Sequence, residues 1–223
     1  MSINIITIDG PTSSGKNSVG FLLAEKLGYQ YIDTGMIYRA GSLDLLKHHT
    51  PLEDKEKIIE AFKNLNVEFR NGDTDRHLFL DEEDVTDVLH SFEVTKIVPI
   101  VAAIPEVREV MRGLQVKIGS RQNTVMSGRD IGSEIFPEAK HKFYLTATPE
   151  IRARRRFDQL VQKDPSVKYE DVLGDMLDRD AKDTNRKVSP LRIPKGAKVI
   201  DTTELTVEET VDMMLSFINS SAS

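Results

Sequence analysis

The stretch "INIITIDGPTSSGKNS", residues 3 to 18, restricts the fold of this chain more than any other. Ile3 to Ile8 is a mainly apolar, β-branched run, as a central strand of a helix-covered parallel sheet requires. The spacing of Gly10, Gly15 and Lys16 after it is that of a phosphate-binding loop. Val19, Leu22, Leu23 and Leu27 then recur at helical spacing, and Gly28 stands where a C-terminal cap belongs. Strand, glycine loop and helix in this order aim loop amides and a helix N-terminus at one anion. Gly-rich strand-to-helix turns also occur without ligands, but the lysine at this spacing favours a nucleotide phosphate. The expected phosphate-binding residues are Gly10, Pro11, Thr12, Ser13, Ser14, Gly15, Lys16, Asn17 and Ser18, with Lys16 carrying the mobile charge for the β and γ phosphates. Asn17 occupies the place after the lysine where serine or threonine is usual.

Further short apolar runs follow: "YQYID" at 29–33, "NTVM" at 123–126, "KFYLT" at 142–146 and "KVID" at 198–201, with helical patterns between them. This alternation predicts an α/β fold with a doubly wound parallel sheet of about five strands and ligands at the strands' C-terminal ends. Residues 67–86, "VEFRNGDTDRHLFLDEEDVT", instead alternate with period two around Asn71-Gly72-Asp73. That pattern predicts an inserted antiparallel hairpin, with room for a third edge strand. Helices are expected over "SFEVTKIV" and over "PEVREVMRGLQVKIG", the latter with Pro105 in its first turn and Gly119 as its cap, while His48 and His49 end an earlier one. Only the terminal "NSSAS" reads as disordered.

With 223 residues, the chain can bury one substantial core, as one domain with an insertion or as two. Cysteine is absent, which excludes disulfides, thiolate metal sites and cysteine nucleophiles, and the five histidines show no metal-ligand spacing. A net charge of −6 provides no global field for a nucleic acid polymer or an anionic membrane, so an anionic substrate must be met locally. No segment has the length of a membrane span or the order of a signal peptide, and a soluble cytoplasmic protein is expected.

Arginines supply the local charge. "DTGMIYR" sets Thr34 and Arg39 just after one strand, and "SGRD" sets Arg129 and Asp130 just after another, both at the sheet edge where Lys16 belongs. "RDAKDTNR" spaces Arg179, Asp183 and Arg186 at i, i+4 and i+7, which on a helix is either one binding face or a solvated ion-pair ladder. In "RARRR", Arg152, Arg155 and Arg156 share a helical face, for which solvated surface is the ordinary reading. Together, in an acidic chain, these arginines point to a second phosphorylated molecule facing the first, since guanidinium groups bind phosphate bidentately. A hydrolytic GTPase has no such need, and its NKxD-type guanine reader is missing, so phosphoryl transfer between two bound nucleotides is the better reading.

At "TIDGPTSSGK", "YIDTGMIYRA", "VAAIPEVRE", "SGRDIGSEIFPEA", "KFYLTATPEIRARRR" and "RDAKDTNR", in that order, the chain resembles the bacterial cytidylate kinases, P-loop enzymes that transfer a phosphoryl group from ATP to CMP or dCMP. The resemblance covers nearly the whole chain. It implies a single kinase domain over 1–223, a monophosphate-binding region at 36–98 carrying the small sheet at 67–86, and a short lid at 157–168. By the same resemblance Lys16 and the loop amides hold ATP, and Arg152, Arg155 and Arg156, which precede or enter the lid, belong to the ATP-binding set. Arg39, Arg129 and Arg186 surround the CMP phosphate beside Thr34, Arg179 and Asp183 hold the ribose, and Arg108 and Asp130 face the cytosine. Lys16, Arg129 and Arg186 are the implied catalytic residues. Mg²⁺ is the implied cofactor, with Asn17, Ser18 and Ser127 as its candidate neighbours, and a monomer the implied state. Three positions depart from the family's pattern. Pro99 replaces a serine that reads the base, Asn17 replaces a hydroxyl, and Ser127 replaces a carboxylate. A kinase for another monophosphate such as UMP, or a silent nucleotide-binding protein, is the alternative.

Overall fold

The structure is a computed structural model that describes residues 3–71, 76–162 and 164–220. It divides into two compact units, one of residues 1–31 with 119–223 and one of residues 32–118.

The first unit is built on strands β1 (Ile5–Asp9), β2 (Gln30–Asp33), β6 (Thr124–Gly128), β7 (His141–Thr146) and β8 (Lys198–Asp201), in the order β2-β6-β1-β7-β8, with the boundary between the units falling inside β2. β1 runs parallel to both β6 and β7, and β7 runs parallel to β8. This is the expected five-stranded parallel sheet. Helices α1 (Lys16–Leu27), α6 (Pro149–Val161), α7 (Tyr169–Thr184) and α8 (Val207–Ser220) complete the unit, with a short helical turn at Ile131–Ile135. β1 is buried because its odd and even side chains both meet cover. Ile6 and Ile8 join Val19, Leu23, Val125, Phe143, Leu145, Val211 and Met214 in one apolar cluster under α1 and α8. Asp9 closes the strand on the opposite face from Ile8. Gly20 lets α1 lie close on the sheet, since a Cβ there would stand 2.6 Å from the Tyr31 ring. Gly28 caps α1 in the left-handed region at φ 66°.

The second unit holds helices α2 (Thr34–Lys47), α3 (Lys55–Lys63), α4 (Phe92–Val101) and α5 (Pro105–Gly119). Its antiparallel sheet joins β3 (Val67–Asn71), β4 (Arg76–Leu80) and β5 (Glu83–Asp84). The hairpin and its third edge strand are therefore present, while Gly72 and Asp73 of the expected turn lie outside the described residues. His48 ends α2 as expected. Two local expectations are corrected. The fifth helix runs through Gly119 instead of being capped by it, and α8 continues through Asn219 and Ser220 of the expected disordered tail, because its apolar stripe still packs there. Ser221–Ser223 lie outside the described residues.

Candidate active site

The phosphate loop curls tightly between β1 and α1, with Gly10, Ser13 and Gly15 at φ 152°, 58° and 89°. Gly10 is forced sterically as well: a Cβ there would stand 2.1 Å from the Leu145 carbonyl oxygen. Lys16 is buried, and its Nζ donates to the Pro11 carbonyl and, at 3.3 Å, to Ser14 Oγ, so the ammonium lies over the loop. Asn17 and Ser18 are exposed in the first turn of α1. Gly15 stands at the N-cap of this helix and makes no side-chain cap hydrogen bond.

Other elements brace the loop. Arg152 donates Nε to the Ala147 carbonyl and Nη1 to both the Thr12 carbonyl at 3.1 Å and Asp180 at 2.6 Å. Arg155 donates to the hydroxyl and carbonyl of Thr202, whose hydroxyl lies 3.2 Å from the Ser14 carbonyl. Arg156 reaches Gln159 at 3.3 Å. Arg154 lies over the Tyr169 ring at 4.7 Å and the Phe157 ring at 5.5 Å, so the face of Arg152, Arg155 and Arg156 is set apart from it. Of the segment expected as a lid, 157–161 is the end of α6, and Lys163 lies outside the described residues.

Arg129 connects the loop to α7. It donates Nη2 to Thr12 Oγ1 at 2.8 Å and Nε to Asp183 Oδ2 at 2.8 Å. Arg186 falls beyond the end of α7, because the helix stops at Thr184 with Asn185 as its cap, so the expected helical face of Arg179, Asp183 and Arg186 is corrected at its last member. Arg186 nonetheless turns back to Asp183, with Nη2 3.2 Å from Oδ1 and Nε donating to the Asp183 carbonyl. Burial opposes charge on Asp183, but Arg129, Arg186 and Arg179 outweigh it and hold the carboxyl below the ordinary range. Asp130 is buried at the head of the turn 131–135. Ser127 is fully buried, with its Oγ 2.8 Å from the Tyr31 hydroxyl.

Thr34, Arg39 and Arg108 belong to the second unit. Asp33 caps α2 by accepting from the Gly35 N–H at 2.8 Å, which makes Thr34 the first helical residue. Gly35 leaves room for Arg39, whose Nη1 would stand 2.8 Å from any Cβ there. Arg108 is buried, donating Nη1 to the Ala102 carbonyl at 3.4 Å with its guanidinium 5.9 Å from the Tyr38 ring centre. Pro99 lies inside α4 on its exposed side.

Sequence reasoning missed four residues that shape this region: Asp9, Tyr31, Asp180 and Thr202. Asp9 and Thr202 carried a signal, since each is polar at the C-terminal end of a sheet strand. Tyr31 and Asp180 gave none, because their partners are distant in sequence. Among the described residues no group of three acidic or histidine side chains could hold a metal, and no helix is long and apolar enough to cross a membrane.

Comparison with known proteins is consistent across the chain. The family model described as "Cytidylate kinase" matches residues 6–220. A cytidylate kinase from Caldanaerobacter subterraneus subsp. tengcongensis is 46% identical over 213 residues, covering 96% of this chain and 93% of that protein. One from Vibrio cholerae is 40% identical over 217 residues, covering 97% and 96%. Among solved structures, a shikimate kinase from Bacteroides thetaiotaomicron superposes over 97% of this chain and 98% of its own at a TM-score of 0.51, and at 14% identity that likeness concerns the fold alone.

Proposed function

The chain belongs to the cytidylate kinase family, and from that premise we propose that it phosphorylates CMP and dCMP to CDP and dCDP with ATP as donor. The observation that carries the reading at the site is Arg129, which joins the phosphate loop at Thr12 to the Asp183–Arg186 pair and so concentrates fixed positive charge beside the loop.

A phosphate oxygen of CMP attacks the γ-phosphorus of ATP in line, the bond to the bridging oxygen breaks, and ADP leaves. The transition state is loose, with charge spread over the three equatorial oxygens, so catalysis is mainly positioning and electrostatic stabilisation. Loop amides and Lys16 hold the donor phosphates. Arg39, Arg129 and Arg186 take the acceptor phosphate beside Thr34, Arg179 and Asp183 take the ribose, and Arg108 and Asp130 take the cytosine edge. Arg152, Arg155 and Arg156 stiffen the loop and the base of a lid at 157–168, whose closure keeps water from the γ-phosphoryl group. Region 36–98 is proposed as the acceptor-binding part of one kinase domain.

The residues present fit Mg²⁺ in one sense: Asn17 and Ser18 offer neutral oxygens on exposed side chains, while the Ser127 hydroxyl is engaged by Tyr31. Asn17 and Ser18 would lend neutral oxygens to an ion carried mainly by the nucleotide phosphates, and the buried Ser127 would act on it only indirectly. When bound, Mg²⁺ neutralises phosphate charge. The enzyme is proposed to be cytoplasmic and monomeric, and size-exclusion chromatography with light scattering checks the second point.

The test is a rate measurement against CMP, dCMP, UMP, AMP and GMP with ATP and Mg²⁺. ADP formation dependent on CMP or dCMP, with UMP clearly poorer, supports the reading. Equal rates with UMP would replace it by a general pyrimidine monophosphate kinase, and no turnover with any acceptor would leave a silent nucleotide binder.

A further inference from the structure

β6 and β7 flank β1, so the chain between them, residues 129–140, must cross β1. Asp9 stands at the C-terminal end of β1 and catches this crossing by both carboxylate oxygens. Oδ1 accepts from the Ile131 N–H and Oδ2 from the Gly132 N–H, each at 2.7 Å. These are the first amides of the turn 131–135, where no side chain of the turn itself acts as a cap. Gly132 lies so close to the sheet that a Cβ would stand 2.7 Å from Thr7 Oγ1 and 3.1 Å from both Lys142 Cδ and Pro194 Cγ. The crossing is thus drawn down on β1 by a buried carboxylate, at a point one residue before the phosphate loop begins and two residues after Arg129.

We infer that Asp9 is a positioning residue: by clamping the amides of Ile131 and Gly132 it sets Arg129 against Thr12, and thereby couples the phosphate loop to the arginine expected to act on the moving phosphoryl group. The inference rests on the reading of Arg129 as a phosphate-binding residue. Asp9 itself is fully buried, with both carboxylate oxygens taken up by these amides. Its environment is costly for a carboxylate. Burial, with Asp130 nearby, pushes its pKa up to about 6 despite the two amide bonds and Lys16. A structural peg could be satisfied by a neutral group, whereas gripping two successive N–H groups at once needs two acceptor oxygens. Asparagine offers only one, and turns a donor toward the second amide.

The experiment compares wild type, Asp9→Asn, Arg129→Ala and the double variant in steady-state kinetics with CMP and ATP, each checked for thermal midpoint, and follows hydrogen exchange of residues 128–136. Asp9→Asn is expected to lower kcat about tenfold or more while KM for ATP stays within about threefold, with faster exchange at Ile131 and Gly132. In the Arg129→Ala background the same change is expected to cost less than about threefold, because the residue it positions is gone. Gly132→Ala, which lifts the turn while leaving Asp9 intact, is expected to reproduce the kcat loss and keeps the inference testable should Asp9→Asn fold poorly. An equal factor in both backgrounds, or an unchanged kcat in Asp9→Asn beside an inactive Arg129→Ala, overturns the inference alone. Full activity in Arg129→Ala overturns both it and the reading of Arg129.

Discussion

Arg129 Nη2 donates to Thr12 Oγ1 at 2.8 Å, joining residues 117 positions apart in the chain. The same guanidinium holds Asp183 through Nε. One planar fork therefore spans the phosphate loop and α7, a task for which lysine, a point charge on a flexible stem, has the wrong shape. Arg129→Lys is expected to lower kcat/KM for CMP by about 2 to 4 kcal/mol of transition-state stabilisation while ATP binding changes little. Steady-state rates with equilibrium ATP titration check this, and near wild-type kcat/KM would place Arg129 outside the chemistry.

Asp183 receives Arg129 and Arg186, and its carboxyl is held below the ordinary range even though burial pushes the other way. A depressed folded-state pKa adds stability that is complete above the unfolded value of about 4 and lost as pH falls through the folded value. Asp183→Asn is expected to be clearly less stable than wild type at pH 7, with the gap shrinking as pH falls below about 4. Urea denaturation at several pH values measures it. A gap that does not change with pH would mean that charge is not what Asp183 contributes.

Asp9 has the opposite sign. Its pKa is raised to about 6, chiefly by burial, so between about pH 4 and 6 the folded protein keeps a proton that the unfolded chain releases. The group's contribution to stability falls as pH rises through that window. Asp130, Lys16 and Tyr144 share its surroundings. Relative to wild type, Asp9→Asn is expected to gain on the order of 3 kcal/mol between pH 4 and pH 7, about two pKa units at 1.36 kcal/mol each. Denaturation curves at both pH values decide it, and a pH-independent difference would contradict the burial of a charge there.

The Tyr31–Ser127 hydrogen bond bears on the metal requirement, because it occupies the only polar atom of the Ser127 side chain with a neutral partner. Ser127→Asp is expected to lower the free Mg²⁺ needed for half-maximal rate at saturating nucleotides, with little change in KM for CMP. Titrations of wild type, Asn17→Ser and Ser127→Asp that superimpose would show that neither position faces the ion.

Glycines separate by what surrounds them. Around Gly113 in α5 and Gly174 in α7 nothing lies within 4 Å of the place a Cβ would take, so Gly113→Ala and Gly174→Ala are each expected to stabilise by about 0.5 to 1 kcal/mol. Gly41→Ala is expected to cost about 1 to 3 kcal/mol, since its Cβ would stand 2.4 Å from the fully buried Phe62 ring. Urea midpoints rank the three, and the reverse order would refute the packing described for α2.

Local chemistry was enough for much of this protein. The run before Gly10 could only be a covered strand, the loop after it needed its glycines, and period two at 67–86 could not serve a helix, so five parallel strands and an antiparallel insertion followed from patterns within single segments. Arg39 and Arg129 were legible as charges gathered at the sheet edge and Asp183 by its spacing between Arg179 and Arg186, whereas Arg108 came only with the family resemblance. What each charge holds was decided only by the tertiary structure. Arg152 grips Asp180 and the Thr12 carbonyl, Tyr31 meets Ser127, and Asp9 grips two amides of a crossing 122 and 123 residues away. Periodicity reports how a residue sits on its own strand or helix, whereas a hydrogen bond depends on the few ångströms left between elements after the sheet order is set. That distance is a property of packing, and no single segment encodes it.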